Sequence, residues 1–206
     1  MNHKSIDINQ RIPLDTLYAA LESHLNGYYS ENYIMEQLKL EFKGENRLKK
    51  SLRIVDKIII RNSLNAFIEE NKEYIKQAIK KKHDRNLILI ALLNSSFAFA
   101  FDTLQCLGKY LSVQNLVNSE TIKRALSNKY GGNRATENAL YSVIPMFIEA
   151  GLIKRPNLGV YQRNNDFQIT SNICKLIFIE SFKTNNTLDG IQEYQFRDPY
   201  FLFIAS

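Results

Sequence analysis

The chain has few of the residues that staple, break or catalyse. Of 206 residues only 2 are cysteines, 4 are prolines and 8 are glycines. Two cysteines cannot build a disulfide framework. Cys106 and Cys174 both sit in apolar runs, which suits buried thiols in a reducing compartment. So little proline and glycine, with 45% hydrophobic residues, excludes a linker-rich or disordered chain and predicts an ordered, mostly helical one. The three histidines, His3, His24 and His83, have no ligating neighbour at helical spacing, so no metal site is expected. A phosphate-binding glycine loop, a dinucleotide fingerprint and a Gly-x-Ser-x-Gly elbow are all missing. Glu41-Phe42-Lys43 has the acid-x-lysine spelling of a metal-dependent nuclease strand. It ends a helical pattern, however, where i and i+2 point apart. Neither an enzyme nor a cofactor is expected. Residues 1–11 are polar and lack an apolar h-region, so no signal peptide is read and a cytoplasmic location is expected.

Positive charge is present and unevenly placed. The net charge is +6. Residues 39–85 hold 14 basic and 7 acidic residues, residues 119–163 hold 7 and 3, and the remainder holds 6 and 11. Two basic segments on an otherwise acidic chain point to a polyanion, either nucleic acid or a membrane surface. Solvated helix faces would give the same count, so charge alone does not decide.

Helical periodicity fills the first half. Residues 13–26 place Leu14, Leu17, Leu21 and Leu25 on one face, with His24 off that stripe and expected at the surface. Ser30 is placed to cap the next helix, which carries Ile34, Leu38 and Phe42. Residues 47–61 set an apolar stripe (Leu48, Leu52, Val55, Ile58, Ile59) against Lys49, Lys50, Arg53 and Lys57. Lys49, Arg53 and Lys57 recur every four residues, and like charges in one line repel unless an anion sits on them. Shorter helical pieces follow at 64–70 and 72–82. Asp84 is then expected to cap one helix over residues 86–110, apolar on nearly every side except at Asn94, Ser95 and Ser96. The uninterrupted apolar part is too short for the roughly 20 residues of a membrane span, and predicts the buried axis of a bundle.

The stretch from 118 to 163 carries the functional argument. A short helix with Ile122 and Leu126 inward is broken at Gly131-Gly132-Asn133. A second helix buries Leu140, Val143, Ile144, Phe147 and Ile148 and closes at Gly151. Pro145 lies inside it and should bend it about a turn upstream or delay its start. Residues 153–155, 156–159 and 160–163 read as strand, turn, strand. After the hairpin come a helix from Thr170 or Ser171 and an aromatic tail. The tail is read as short strands or an extended arm, more naturally closing the core than stacking on bases.

The fold class expected is therefore mainly α. Residues 1–115 form a helical bundle around the apolar helix. Residues 116–206 form a winged-helix-like helix-turn-helix with a short β-hairpin, a C-terminal helix and the aromatic tail. A winged helix binds rather than catalyses. Its second helix presents Arg134, Thr136, Asn138 and Tyr141 to base edges; arginine suits guanine and asparagine suits adenine. Lys154, Arg155 and Arg163 on the hairpin and Lys123 and Lys129 on the preceding helix are expected at phosphates. Lys49, Lys50, Arg53 and Lys57 form a second basic surface. Double-stranded DNA is the expected partner. RNA, a stand-alone transcriptional regulator and a protein-interaction scaffold remain alternatives from composition alone.

The order of features resembles a known family. A basic helical half, an apolar central helix, Thr136-x-x-x-Leu140 and the run Glu149-Ala150-Gly151-Leu152-Ile153 are similar to the small BrxA-type proteins of bacterial phage-exclusion (BREX) systems. The matching pieces are residues 47–60, 87–110 and 136–153; the lysine-rich middle and aromatic C-terminus depart from that pattern. The resemblance implies a non-enzymatic DNA-binding accessory protein working beside a methyltransferase and other defence proteins, with no catalytic residues to carry over.

Overall fold

The apolar periodicities form ten α-helices in a computed structural model, which describes residues 4–204; His3 lies outside the described residues. The first five are α1 (Leu14–Leu25), α2 (Glu31–Glu41), α3 (Glu45–Ile59), α4 (Asn65–Glu70) and α5 (Lys72–Ala78). Local chemistry accounts for their ends: the Ser30 hydroxyl accepts from the Tyr33 N–H at the start of α2, and Gly44, at φ +93°, turns the chain into α3. The apolar stripe of α3 is buried as its spacing requires, with Leu48, Leu52, Val55, Ile58 and Ile59 all inward.

The apolar stretch at 86–110 is two helices, not one. Helix α6 (Lys82–Ser96) and helix α7 (Ala98–Leu111) meet at Phe97 with a bend of 119°. The polar triplet at the end of α6 gives the reason. The Asn62 amide donates to the Ile58 and Leu92 carbonyls and to the Ser96 hydroxyl, while its own oxygen accepts from the Leu64 N–H and the Ser95 hydroxyl. The Ser96 hydroxyl in turn donates to the Lys57 carbonyl at 3.0 Å. These bonds tie the C-terminus of α6 to the end of α3, and the chain leaves in a new direction. No single helix among the described residues is long and apolar enough to cross a membrane. Asp84 does not cap α6 but lies inside it, wholly buried, accepting from the Thr170 N–H at 2.8 Å and the Thr170 hydroxyl at 2.6 Å.

Leu87 to Leu93 are fully buried because α6 is wrapped by α1, α3 and two helices of the second half of the chain, residues 134–150 and 172–186. Each leucine and isoleucine among them contributes about 1.5–3 kcal/mol relative to exposure. Helix α7 packs on the next segment: β1 (Val117–Asn118), α8 (Ser119–Tyr130), α9 (Arg134–Ala150), β2 (Ile153–Asn157) and β3 (Val160–Arg163). The strands form an antiparallel sheet in the order β1-β3-β2. Pro156 falls at an irregularity in the β2–β3 pairing, where its missing N–H is tolerated. Gly151 takes the left-handed conformation after α9, as its position predicts. Pro145 is accommodated inside an α9 that still runs from Arg134 to Ala150.

The aromatic tail forms neither strand nor extended arm. After α10 (Asn172–Asn186) it makes two 3-10 helices, Glu193–Arg197 and Pro199–Phe203. The second lies on α7 so closely that a Cβ on Gly108 would overlap the Pro199 carbonyl oxygen. Tyr200 is fully buried, stacked on Phe178 at 4.3 Å, with its hydroxyl accepting from the Asn94 amide at 2.9 Å and bonded to the Ser181 hydroxyl at 2.7 Å. The tail closes the core. That core is one cluster, with α6 and α7 packing on α8, α9 and α10, so the hydrophobic interior crosses the boundary expected at residues 115/116.

Candidate nucleic-acid interface

The turn between α8 and α9 fixes what α9 presents. Gly131 has φ +89°, and its carbonyl accepts from the Thr136 hydroxyl at 2.5 Å. The Asn133 side chain accepts from the N–H groups of Ala135 and Thr136, capping α9. Two of the expected site residues separate at this point. Thr136 is buried, 1% exposed, with its hydroxyl bound to the turn, so it positions α9 and does not reach a ligand. Arg134, Asn138 and Tyr141 are exposed, four and three residues apart, and form one ridge along the first two turns. Tyr141 is 75% exposed.

Beside the ridge, the hairpin is held by backbone. The Ser119 N–H donates to the Gly159 carbonyl at 2.7 Å, joining the hairpin turn to the start of α8. Between α8, α9 and the hairpin lies an apolar notch of about 120 Å³, with Leu140, Ile144, Ile148 and Tyr161 in its lining and Arg155 and Tyr141 at its edge. Burial pushes the Tyr161 phenol upward, with the Arg155 charge opposing and Tyr141 adding to the shift. Leu158, at the hairpin tip, is 88% exposed.

The lysines expected at phosphates are mostly engaged within the protein. Lys123 pairs with Glu137 at 2.5 Å and lies 4.0 Å from Glu120; the hydrogen bond to Glu137 is the main reason its pKa is raised. It clamps α8 to α9, and its charge is offset. Lys154 pairs with Asp166 at 2.5 Å and holds that carboxyl below its usual range. Lys129 and Lys4 both reach Asp102, at 2.5 and 3.2 Å, and the Tyr130 hydroxyl donates to the same carboxylate at 2.5 Å. Burial, then this bond, raises the Tyr130 phenol. Arg163 is half-buried at the end of β3.

On α3, Lys49 pairs with Glu45, and Lys57 pairs with Asp7 at 2.5 Å while its ammonium lies 4.3 Å from the Phe97 ring centre. Repulsion in the line Lys49–Arg53–Lys57 is thus relieved at both ends by carboxylates. Arg134, Arg155, Lys50 and Arg53 are exposed and make no ion pair among the described residues. Asp102 carried no signal in the sequence, and Asn133, expected there only as part of the turn, serves as the N-cap of α9. Asp102 is a lone acid in an apolar run whose partners lie 27, 28 and 98 residues away; Asn133 carried the standard N-cap signal in front of α9.

No protein-family model, curated protein or solved structure matches this chain.

Proposed function

We propose that the chain is a non-enzymatic accessory protein that binds duplex DNA through a winged helix. The observation that supports this is the ridge of Arg134, Asn138 and Tyr141 on the first turns of α9, flanked by the β2–β3 hairpin that carries Arg155. In this reading α7, α8 and α9 are the three helices, α9 enters the major groove and the hairpin is the wing lying along the backbone. Arg134 reaches guanine, Asn138 reaches adenine, and each well-formed pair discriminates by about 1–3 kcal/mol. Arg155 contacts a phosphate. Lys50 and Arg53 on α3 add sequence-independent contacts. By its resemblance to BrxA-type proteins, the chain works in the cytoplasm beside a methyltransferase and other phage-defence proteins, and neighbouring genes of those kinds would support that setting.

Mobility shifts across a salt series test the reading. The protein should bind duplex DNA at low salt and lose affinity steadily as salt rises. Arg134→Ala with Arg155→Ala should weaken binding at least tenfold, whereas Thr136→Ser should not. A protein that ignores duplex DNA at low salt, or binds it independently of salt, overturns the proposal. The apolar notch with exposed Tyr141 and Leu158 favours a second reading, a protein-docking surface. A partner that stays bound after nuclease treatment of a native extract, and is lost on Tyr141→Ala, would favour it.

A further inference from the structure

The two basic segments, far apart in sequence, meet in space through residues 4–12. The Lys4 N–H donates to the Lys129 carbonyl at 3.1 Å, which lays the segment along the end of α8. Three residues on, Asp7 pairs with Lys57 of α3. Gln10 then donates to the Ser51 hydroxyl of the same helix, and Arg11 pairs with Glu149 of α9 at 2.6 Å. Asp7 is also close enough to Tyr130 to act on its phenol electrostatically. The end of α8 and the end of α3 therefore share one neighbourhood.

The charges there have a consistent arrangement. Asp102, 5% exposed, is an internal anion that gathers Lys4 and Lys129, whose side chains remain about half open to solvent. Each ammonium carries three donors, and one carboxylate does not exhaust two of them. Lys109 lines the same shallow cavity as Lys129 and Asp102. On the α3 side, the Arg61 guanidinium folds back along the helix to donate to the Arg53 backbone carbonyl at 3.5 Å. From Arg134 the path passes Lys129 and Lys4, crosses Lys57 and reaches Arg53 and Arg61.

We propose that this path is a single track for the nucleic-acid backbone, carrying bound duplex from the start of α9 across Lys4 and Lys129 to α3. The proposal rests on α9 being the reading helix. A short duplex fills the α9 and hairpin site alone; a longer one also engages Lys4, Lys109, Lys129, Arg53 and Arg61. The track supplies sequence-independent affinity and a defined direction of exit.

Fluorescence anisotropy with labelled duplexes of about 12 and about 30 base pairs over a salt series tests it, because the slope of log K against log salt counts phosphates engaged at about 0.9 per contact. The full-length protein should show a steeper slope on the longer duplex, by about 3 or more. A steeper slope separates the track from the mere increase in binding registers, which raises affinity without changing the slope. The variant Lys109→Ala with Arg61→Ala alters exposed side chains, and circular dichroism should confirm its fold. It should bring the slope on the longer duplex down by about 2 and leave the shorter duplex unaffected. Equal slopes on the two duplexes in the unaltered protein, or equal weakening of both by the variant, overturn the track while leaving α9 as the reading helix. Failure of the unaltered protein to bind either duplex overturns both proposals.

Discussion

On α1, His24 lies 4.0 Å from Glu69 with most of its ring screened from water. Burial is the main effect and lowers its pKa below the ordinary 6.5; Glu69 opposes and Lys72 adds to the lowering. The unfolded chain thus takes up this proton more readily than the folded one. The stability associated with neutral His24 is complete above the unfolded value and is lost as pH falls through the lower folded one. Thermal melts followed by circular dichroism at about pH 7.5 and about pH 5.5 should show a fall in Tm, and His24→Gln should show a smaller one. Equal falls in the two proteins would remove His24 as a contributor. The leucine spacing of α1 placed His24 correctly off the stripe, but its partial burial depends on α4 and α5, which spacing within α1 cannot show. The same holds on α9. The periodicity of residues 134–141 cannot distinguish Thr136 from Asn138, because both lie off the main stripe. Only the path of the Gly131 carbonyl turns Thr136 inward.

At the scale of elements, the contact between α7 and the 3-10 helix Pro199–Phe203 shows how little room some pairs leave. Gly108 stands on the line of approach, and any Cβ there meets backbone, which cannot swing aside. Gly108→Ala should cost about 1–3 kcal/mol by overpacking, a fall in Tm of several degrees for a chain of this size. It should also speed proteolysis of the tail beyond Asp189. A Tm within about a degree of the unaltered protein would contradict the closeness of this contact. A glycine inside a helical pattern is visible in sequence, but its partner 91 residues away is not. The break at Phe97 was equally hidden. Both α6 and α7 are buried on most sides, so their apolar runs join without a change of period, and the only mark was Asn94-Ser95-Ser96.

For the whole molecule, the continuity of the core has a thermodynamic consequence. Residues 116–206 lend α8, α9 and α10 to α6 and α7, and take no separate interior of their own. Detached, they would expose the faces of α8, α9 and α10 that pack on α6 and α7, together with the face of Tyr200 against Asn94. The full chain should therefore unfold in one transition, coincident by far-ultraviolet circular dichroism and tyrosine fluorescence. A fragment of residues 116–206 should lack a cooperative transition. Two separated transitions, or a fragment that melts cooperatively, would show that the halves fold independently.

The sequence by itself determined the helical class, most of the helix faces and their glycine ends, and the hairpin, because each depends on residues within about four positions of one another. It also determined that positive charge collects in two segments. Tertiary structure decided the 119° turn between α6 and α7, the 3-10 form of the tail, and the burial of Thr136 and Asp84. It also decided which lysines keep free charge and which are held by Asp102, Glu137, Asp166 or Asp7. Those outcomes depend on partners that chain order separates by up to 106 residues. Local spacing constrains which way a side chain can face, and only the folded chain places the carboxylate that meets it.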